Sequence, residues 1–404
     1  MKNFKTFLTI VITALITFCI TSVVFYSGNL NFNTSSSTEN TIGNALQSSG
    51  LEAKLKTIRK KIDANYKGEI NEDNLKEYAI KGYVAGLGDE YTQYFTKDEM
   101  KQFTEETEGE FVGIGVYITA NNDANRVEIV SDIKDSPAEK VGLQSGDLIK
   151  SVDGVEYTAS DLDKITQNIR GKAGTKVKIV IIRNNEEKEY EIERASVSIP
   201  SVESSILENN VGYIYISTFS SNTSEEFKTA YNDLVSKGAK SLVIDLRNNV
   251  GGLLEEALDI GDMLTDKGKV LLIEEDKNNT EEKTFSKEDK LVDMNFVLLV
   301  NQYSASASEV LAGIVKDDCD NATIVGTTTY GKGVVQKLYG LSDGSGIKIT
   351  TNEYFSPNHN SINKVGIKPD VEVEYDKFDG KLDTANDTQL QKAIEQLKNT
   401  NASK

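Results

Sequence analysis

The sequence contains no tryptophan, a single histidine, two cysteines and four prolines. Two cysteines are too few to form a zinc site by themselves, and Cys19 lies in an apolar N-terminal run, apart from Cys319. We therefore expect no metal site and no disulfide. The single histidine, His359, restricts the acid–base groups that catalysis could use. Four prolines beside 30 glycines are typical of an ordinary fold with many tight turns.

Positive charge is also scarce, because 45 lysines and arginines stand against 63 acidic residues and leave a net charge of −18. The acidic excess is spread along the chain, so a nucleic-acid backbone would meet repulsion, and we expect no nucleic-acid partner. The chain is 38% hydrophobic and 27% charged, which indicates a globular protein. Its length of 404 residues suits two or three domains.

The longest apolar run lies near the N-terminus, where FLTIVITALITFCITSVVFY occupies residues 7–26 after Lys2 and Lys5. A helix of this length, at about 1.5 Å per residue, spans the roughly 30 Å hydrocarbon core of a bilayer. The positive residues should stay in the cytoplasm, so residues 1–6 form a cytoplasmic stub and the rest of the chain lies outside. We expect a single-pass protein of the cell membrane. The alternative is a signal peptide whose cleavage leaves a secreted protein.

The remaining chain divides by pattern into a linker and four regions. Residues 27–49 are polar and aperiodic, which predicts a flexible linker. Residues 50–103 have the apolar spacing of helices, and these helices could pair two copies of the chain. Short strands follow over residues 104–192, and over residues 193–375 apolar strands alternate with amphipathic helices, as in an α/β fold whose sheet is covered on both faces. Residues 376–404 predict a C-terminal helical tail.

The strand patterns of residues 104–192 resemble a PDZ domain. A PDZ domain adds the last residues of a ligand as a strand to an open sheet edge, while loop amides hold the terminal carboxylate. Gly113, Ile114, Gly115 and Val116 stand at the place of that carboxylate-binding loop. The resemblance therefore implies a site for protein C-termini.

A serine cluster in NQYSASASEVLAGIVKD, residues 301–317, lies between an apolar strand and a helical stripe. A hydroxyl on such a strand-to-helix turn stands beside backbone N–H groups at the positive end of a helix, where an oxyanion could be held. The alternative is structural, because Ser306 and Glu309 fit an S-x-x-E capping box that only starts the helix.

A nucleophilic serine needs a group that takes its proton. His359 lies in a turn-rich segment without obvious supporting carboxylates. Lys332 is the better candidate, because Gly331 and Gly333 allow the backbone to pack closely and burial lowers the pKa of a lysine. Gln336, four residues on, offers an uncharged amide that could orient the amine.

The stretch GTTTYGKG, residues 326–333, also resembles a phosphate-binding loop. That motif needs a serine or threonine after the lysine and the start of a helix, whereas Gly333 follows Lys332 and the next residues alternate like a strand. A nucleotide site would also lie on the wrong side of the membrane. We therefore interpret Lys332 as a base.

Several motifs, taken in order, resemble those of the carboxyl-terminal processing peptidases, also called tail-specific proteases. The likeness runs from about residue 50 to 399 and rests on GLGDEYTQYF (86–95), DLRNNVGG (245–252), SASASE (304–309), TTTYGKGVVQ (327–336) and GIKPD (366–370). It implies an α/β peptidase core with an inserted PDZ domain, behind the N-terminal helical region and the transmembrane anchor. It also implies Ser306 as the nucleophile, Lys332 as the general base and Gln336 as the residue that positions the base. Ser304 and Ser308 stay open as alternatives to Ser306.

The same resemblance implies an oxyanion hole formed by the backbone amides of Ala307 and of Gly251 or Gly252. Val250 stands where the family commonly has proline, so the choice between the two glycines stays open. No metal and no other cofactor is implied.

These features predict a serine endopeptidase that binds protein C-termini through its PDZ domain and cleaves extracytoplasmic proteins through an acyl-enzyme. In the family the PDZ domain gates or recruits, and Arg170 is the candidate contact between the PDZ domain and the peptidase core. Two alternatives stay open. One is a membrane-tethered PDZ scaffold on an inactive peptidase fold, and the other is a hydrolase that uses His359 in place of Lys332.

Overall fold

The computed structural model describes residues 50–375 and 377–402. The predicted stub, anchor and linker, residues 1–49, lie outside these ranges. Among the described residues, no helix has the combined length and apolar character that crossing a membrane requires.

Two helices open the described chain, as the sequence predicts. They are α1 (Leu51–Asn65) and α2 (Glu72–Ala85). The chain divides into two compact units after Glu72, so α1 belongs to the first unit and nearly all of α2 to the second. The apolar side chains Leu51, Leu55 and Ile58 of α1 are exposed.

Two further elements, β1 (Gln93–Phe95) and α3 (Lys97–Glu108), precede the PDZ-like region. A capping box starts α3, because the Thr96 N–H donates to the Glu99 carboxylate at 2.9 Å and the Glu99 N–H donates to Thr96 Oγ1 at 3.3 Å. The predicted boundary at residue 104 falls inside this helix. Its sequence, KDEMKQFTEETE, is so polar that its apolar spacing is weak.

A small antiparallel sheet follows. In chain order its region contains β2 (Glu110–Gly113), β3 (Val116–Asn121), β4 (Arg126–Asp132), α4 (Pro137–Val141), β5 (Leu148–Val152), β6 (Val155–Glu156), α5 (Leu162–Ile169), β7 (Lys176–Arg183), β8 (Glu186–Glu193) and β9 (Ala195–Ser198). The strand order is β3-β4-β5-β7-β8, with β6 beside β5, while β2 pairs with β9. Strand β3 is therefore an edge of the sheet, and the β2–β9 pair encloses the region at both of its chain ends.

The rest of the chain alternates strands with helices. Its elements are β10 (Val202–Leu207), β11 (Val211–Ile216), α6 (Thr223–Ser236), β12 (Ser241–Asp245), α7 (Leu254–Leu264), β13 (Val270–Asp276), β14 (Glu281–Phe285), β15 (Phe296–Val300), α8 (Ala307–Asp318), β16 (Ala322–Gly326), β17 (Val334–Gly340), β18 (Gly346–Phe355), β19 (Val371–Glu372) and α9 (Thr388–Ala402).

The central sheet has the order β10-β11-β12-β15-β16-β19, and all of its pairs are parallel except β10–β11. Helices α6, α7 and α8 pack on one face, and α9 packs on the other through Leu390, Ala393 and Leu397. Both faces are thus covered, which explains why every residue of the central strands β11, β12 and β15 is buried. A second sheet, ordered β1-β18-β13-β14 with β17 beside β18, lies next to this core.

Candidate active site

Three loops meet at one edge of the central sheet. They follow β12, β15 and β16, which are neighbouring parallel strands, and the carboxyl ends of parallel strands lie at the same edge. The Ala305 N–H donates to the Asn249 carbonyl oxygen at 3.0 Å, and the Tyr330 N–H donates to the Ser304 carbonyl oxygen at 3.1 Å. The fold therefore brings together the three motifs DLRNNVGG, SASASE and TTTYGKGVVQ.

Ser306 stands at the turn between β15 and α8 in a strained conformation. Its φ and ψ are 57° and −117°, in a region that residues other than glycine rarely adopt. Its side chain makes no capping hydrogen bond to α8, and Ser306 is partly exposed. The Ser306 N–H donates to the Glu309 carboxylate at 2.9 Å and the Glu309 N–H donates to the Ser306 carbonyl oxygen at 2.8 Å, so these backbone groups, rather than the hydroxyl, make the bonds at the start of α8.

The two neighbouring serines differ from Ser306. Ser304 Oγ donates to the Leu246 carbonyl oxygen at 2.8 Å, and Ser308 Oγ donates to the Asn249 carbonyl oxygen at 2.9 Å. Both serines are fully buried. Their hydroxyls hold the loop after β12 in place.

Glu309 joins the serine turn to the lysine loop. Its carboxylate is fully buried, and one oxygen accepts the N–H groups of Ser306 at 2.9 Å and of Lys332 at 2.8 Å. The other oxygen accepts the Thr329 hydroxyl and the Gly331 N–H, each at 2.6 Å. The amides that resemble a phosphate-binding loop therefore already hold a carboxylate of the chain, and β17 follows the loop in place of a helix.

Tyr354 supports the same two residues from β18. Its hydroxyl faces the Ser306 carbonyl oxygen at 3.0 Å and also bonds the Lys332 carbonyl oxygen. Tyr354 is only 2% exposed. Ser306 and Lys332 are thus linked through their N–H groups by Glu309 and through their carbonyl groups by Tyr354.

The side chain of Lys332 is partly buried in this site. Its Nζ lies over the ring of Tyr91, 4.7 Å from the centroid. Burial, followed by the nearby ammonium of Lys348, lowers the pKa of Lys332, and Glu309 opposes that shift. In the described part of the chain, no hydrogen bond joins Lys332 Nζ to the Ser306 hydroxyl.

The glycines beside Lys332 have the packing role that the sequence suggests. A Cβ on Gly333 would lie 2.3 Å from the backbone nitrogen of Asn363, so only glycine fits there. Gln336 differs from the expectation, because its amide Nε2 donates to the Val334 carbonyl oxygen at 3.1 Å rather than to Lys332. The Gln336 amide thus bonds a residue of its own strand, two positions earlier in the chain.

The glycine pair lies directly against the serine turn. A Cβ on Gly251 would lie 2.9 Å from the Cβ of Ser306 and 3.1 Å from the nitrogen of Ala307. The Gly251 N–H donates to the Asn249 side chain at 2.8 Å, so this amide is already engaged. Gly252 forms a parallel bridge with Phe219. The Phe219 N–H donates to the Gly251 carbonyl oxygen, and the Leu253 N–H donates to the Phe219 carbonyl oxygen. The N–H of Gly252 itself is therefore directed away from Phe219.

The single histidine has a different partner. His359 Nε2 lies 2.7 Å from a carboxylate oxygen of Glu281, and both side chains are well exposed. The hydrogen bond to Glu281 raises the pKa of His359. Cys319 is buried at the end of α8, where burial raises the pKa of its thiol to about 12.

Known proteins share both the core and the inserted domain. The family model "Peptidase family S41" matches residues 210–373, and the model "PDZ domain" matches residues 128–183. A Staphylococcus epidermidis protein named "Probable CtpA-like serine protease" is 39% identical over 341 residues, which cover 82% of this chain and 69% of that protein. The chain belongs to peptidase family S41. This result confirms the resemblance read from the motifs and identifies the chain as a serine peptidase.

The chain is also similar to other known proteins. A Staphylococcus haemolyticus protein with the same name is 38% identical over 343 residues, which cover 82% of this chain and 68% of that protein. Among solved structures, the "Photosystem II D1 C-terminal processing protease" shares 29% identity over 79% of this chain and 86% of that chain, with a TM-score of 0.46. The assignment rests on the sequence matches.

The PDZ domain of this S41 peptidase has an open sheet edge at β3, beside which α5 packs. The predicted carboxylate-binding loop, residues 113–116, connects β2 to β3. The carbonyl oxygens of Ile114 and Gly115 accept the N–H groups of Ala138 and Ile133 at 2.8 and 2.9 Å, which orients the loop. Gly115 has a φ of 79°.

Arg170 differs from the expectation that it contacts the peptidase core. Its guanidinium pairs with Glu105 on α3 at 2.9 Å and lies 5.0 Å from the ring centroid of Phe111 on β2. The reason is local, because the Gly171 N–H donates to the Val112 carbonyl oxygen at 3.4 Å and brings the end of α5 to β2. Arg170 thus connects the PDZ domain to the helix that precedes it.

A buried arginine supports the loop after β12, which carries Gly251 and Gly252. Arg247 is fully buried and pairs with Asp245 at 2.6 Å and with Asp387, before α9, at 2.7 Å. Its guanidinium lies 3.9 Å from the ring centroid of Phe378. The network fixes the start of the DLRNNVGG segment to the C-terminal part of the chain.

Sequence reasoning missed four residues of this site. Tyr91, Tyr354 and Lys348 reach it from outside the serine and lysine motifs, and the sequence pattern around Glu309 predicts only a helix cap. The available signals were the GLGDEYTQYF motif for Tyr91 and the S-x-x-E spacing for Glu309. In the described part of the chain, no group of three or more histidine, cysteine or acidic side chains is arranged to hold a metal ion.

Proposed function

We propose that this S41 peptidase is an endopeptidase that binds protein C-termini through its PDZ domain and cleaves proteins outside the cytoplasm by a Ser306–Lys332 mechanism. The observation that carries the proposal is the shared carboxylate of Glu309, which accepts the N–H groups of Ser306 and Lys332 at 2.9 and 2.8 Å. This carboxylate, with the Tyr354 hydroxyl, keeps nucleophile and base on adjoining loops.

Ser306 is the nucleophile because, of the three serines, it alone is partly exposed and its hydroxyl makes no capping hydrogen bond to α8. In the first step the neutral amine of Lys332 takes the Ser306 proton while Oγ attacks a peptide carbonyl. The resulting ammonium then gives that proton to the departing amine. A water molecule, deprotonated by the same amine, hydrolyses the ester and restores Ser306.

The developing oxyanion binds at the N-terminus of α8. The Ala307 N–H belongs to the first turn of the helix, where the helix dipole favours negative charge. The second donor is the N–H of Gly252, because the Gly251 N–H is engaged by Asn249 and the Gly252 N–H is directed away from Phe219. Gln336 orients the Lys332 amine once both side chains leave the positions described above.

Recognition of C-termini follows from the shape of the PDZ domain. The β3 edge accepts a ligand as an added strand, and the 113–116 loop meets the terminal carboxylate. Residues 7–26 anchor the chain in the cell membrane with the peptidase outside, or act as a cleaved signal in a secreted form. The helices of residues 50–103 pair two copies of the chain.

A fluorogenic peptide assay with four variants tests this function. Ser306→Ala and Lys332→Ala should lose turnover, and Lys332→Arg should also be inactive because a guanidinium does not give up its proton near neutral pH. His359→Ala should keep wild-type turnover. A wild-type rate no higher than that of the assay without enzyme would instead support an inactive scaffold, and a loss confined to His359→Ala would support a histidine-based hydrolase.

A further inference from the structure

Lys332 and Tyr91 form a contact that the acyl-transfer scheme does not use. The Lys332 Nζ lies over the Tyr91 ring, 4.7 Å from its centroid. The negative face of an aromatic ring attracts an ammonium at that distance, but it does not attract a neutral amine in the same way. The contact therefore favours the charged form of Lys332, which cannot act as a base.

Tyr91 is held in place by the segment around it. The Thr92 hydroxyl donates to Asp89 at 2.5 Å, and the Tyr91 N–H donates to the same carboxylate at 3.2 Å. The Thr350 N–H of β18 donates to Thr92 Oγ1 at 3.0 Å, and β1 continues this connection by pairing with β18. Because β18 also pairs with β17, which follows Lys332, the ring and the lysine are positioned by one sheet.

The Tyr91 side chain stays neutral. Burial, followed by the neighbouring carboxylate of Glu90, raises the pKa of the Tyr91 hydroxyl. Tyr330 also lies beside it and acts in the same direction. A neutral phenol presents its ring, not a phenolate charge, to Lys332.

Four charged groups also face Lys332. The ammonium of Lys348, on β18, lowers the pKa of Lys332, while Glu309 on α8 and the carboxylates of Asp89 and Glu90 raise it. Burial is the largest influence and lowers it. A change in the electron density of the ring at position 91 leaves all of these groups in place, so the ring contact can be tested separately.

We propose that Tyr91 is a positioning residue that holds the protonated Lys332 side chain away from Ser306 in the resting enzyme. This inference rests on the proposed function, because it takes Lys332 as the base. For catalysis the ammonium releases its proton to solvent, and the amine leaves the ring to accept the proton of Ser306. The GLGDEYTQYF segment is thereby part of the active site.

The test is the pH dependence of kcat/KM, whose acidic limb reports the pKa of the base in the free enzyme. Phenylalanine and its mono-, di- and trifluoro forms are placed at position 91 of the full chain. Each fluorine withdraws electrons from the ring face with little change in shape, so the acidic limb should move stepwise to lower pH, by about 0.5 to 1 unit in total. At a pH below the limb, kcat/KM should rise about three- to tenfold.

Tyr91→Phe keeps the ring and is the reference for the fluorinated series, whereas Tyr91→Leu removes the ring and should shift the limb in the same direction as the fluorinated series. An acidic limb that stays at the same pH throughout the series, or that moves upward, overturns the inference. The fluorinated series decides the matter even if Tyr91→Leu fails to fold. Lys332→Ala is measured beside the fluorinated series. Turnover by Lys332→Ala would overturn the proposed function itself. If Lys332→Ala is inactive but the acidic limb does not move in the fluorinated series, only the role of Tyr91 is overturned.

Discussion

The carboxylate of Glu309 accepts the backbone N–H of Lys332 at 2.8 Å, although the two residues lie 23 positions apart. The same oxygen accepts the N–H of Ser306. The carboxylate is a rigid connection, because its hydrogen bonds to Thr329, Gly331 and Lys332 are all lost if the lysine loop separates from α8.

Glu309→Gln should damage both stability and activity. A glutamine amide keeps one oxygen acceptor, so its NH2 group would face either the N–H groups of Ser306 and Lys332 or the Thr329 hydroxyl and the Gly331 N–H. At least one buried amide then lacks an acceptor, which costs about 1–3 kcal/mol of unfolding free energy, and turnover should fall at least about 100-fold through misplacement of the loops. Urea unfolding and the peptide assay measure the two effects.

Glu281→Gln is the matched control for that change, because Glu281 pairs with His359 at the surface. It should alter stability by no more than about 0.5 kcal/mol and leave turnover unchanged. A Glu309→Gln enzyme with normal stability and turnover would contradict the connecting role of the carboxylate.

Tyr354→Phe should lower kcat more than it changes KM. The lost hydroxyl serves the carbonyl oxygens of Ser306 and Lys332 inside the core. We expect a loss of about 1–2 kcal/mol of stability and a fall in kcat of about tenfold. Tyr339→Phe, at a side chain that is 45% exposed on β17, is the control and should behave as wild type. An unchanged kcat in the Tyr354 variant would argue against this support.

The lowered pKa of Lys332 predicts a pH-dependent stability. Burial is its main cause, so the folded state holds the charged amine less well than the unfolded chain does. Between the lowered folded pKa and the unfolded value of about 10.4, the unfolded state binds more protons and stability contributed by this site rises with pH.

Lys332→Met removes that titration and should therefore be more stable than wild type at low and neutral pH. The difference should shrink as pH rises from the folded pKa toward about 10.4. Unfolding measured at a series of pH values checks this expectation. A difference that stays constant or grows with pH would show that Lys332 is not buried at a cost.

Arg247 should stabilise the loop that carries Gly251 and Gly252. Arg247→Met leaves the buried carboxylates of Asp245 and Asp387 without a counter-charge, which should cost about 3–5 kcal/mol. Lys316→Met breaks an exposed pair with Asp370 and should cost no more than about 1 kcal/mol. Similar small losses for both variants in denaturant unfolding would contradict the role of the buried network.

Local patterns in the sequence are sufficient to predict the strand before Ser306, the helix after it and the strand after Lys332, because periodicity reports which face of an element is buried. They could not show which side chains meet at the site. Thr350 bonds Thr92 across 258 positions, and Arg247 bonds Asp387 across 140. Such contacts arise from packing of the whole chain, so Tyr91 and Tyr354 could not be placed beside Lys332 from local spacing.

The orientations of Gln336 and Arg170 were beyond sequence reasoning for a related reason. The Gln336 amide bonds the Val334 carbonyl oxygen, two positions away, whereas the Arg170 guanidinium bonds Glu105, 65 positions away on α3. A motif identifies a residue type at a position, but the choice between a near partner and a distant one depends on side-chain conformation.

The most direct test of the central claim is to map the acyl-enzyme. The full-length protein is mixed with an activated peptide ester and quenched in acid, and the acylated residue is located by peptide mass spectrometry. We predict the acyl group on Ser306 in the wild type, and no adduct in Ser306→Ala or Lys332→Ala. An adduct on Ser304 or Ser308, or one that forms equally well without Lys332, would contradict it.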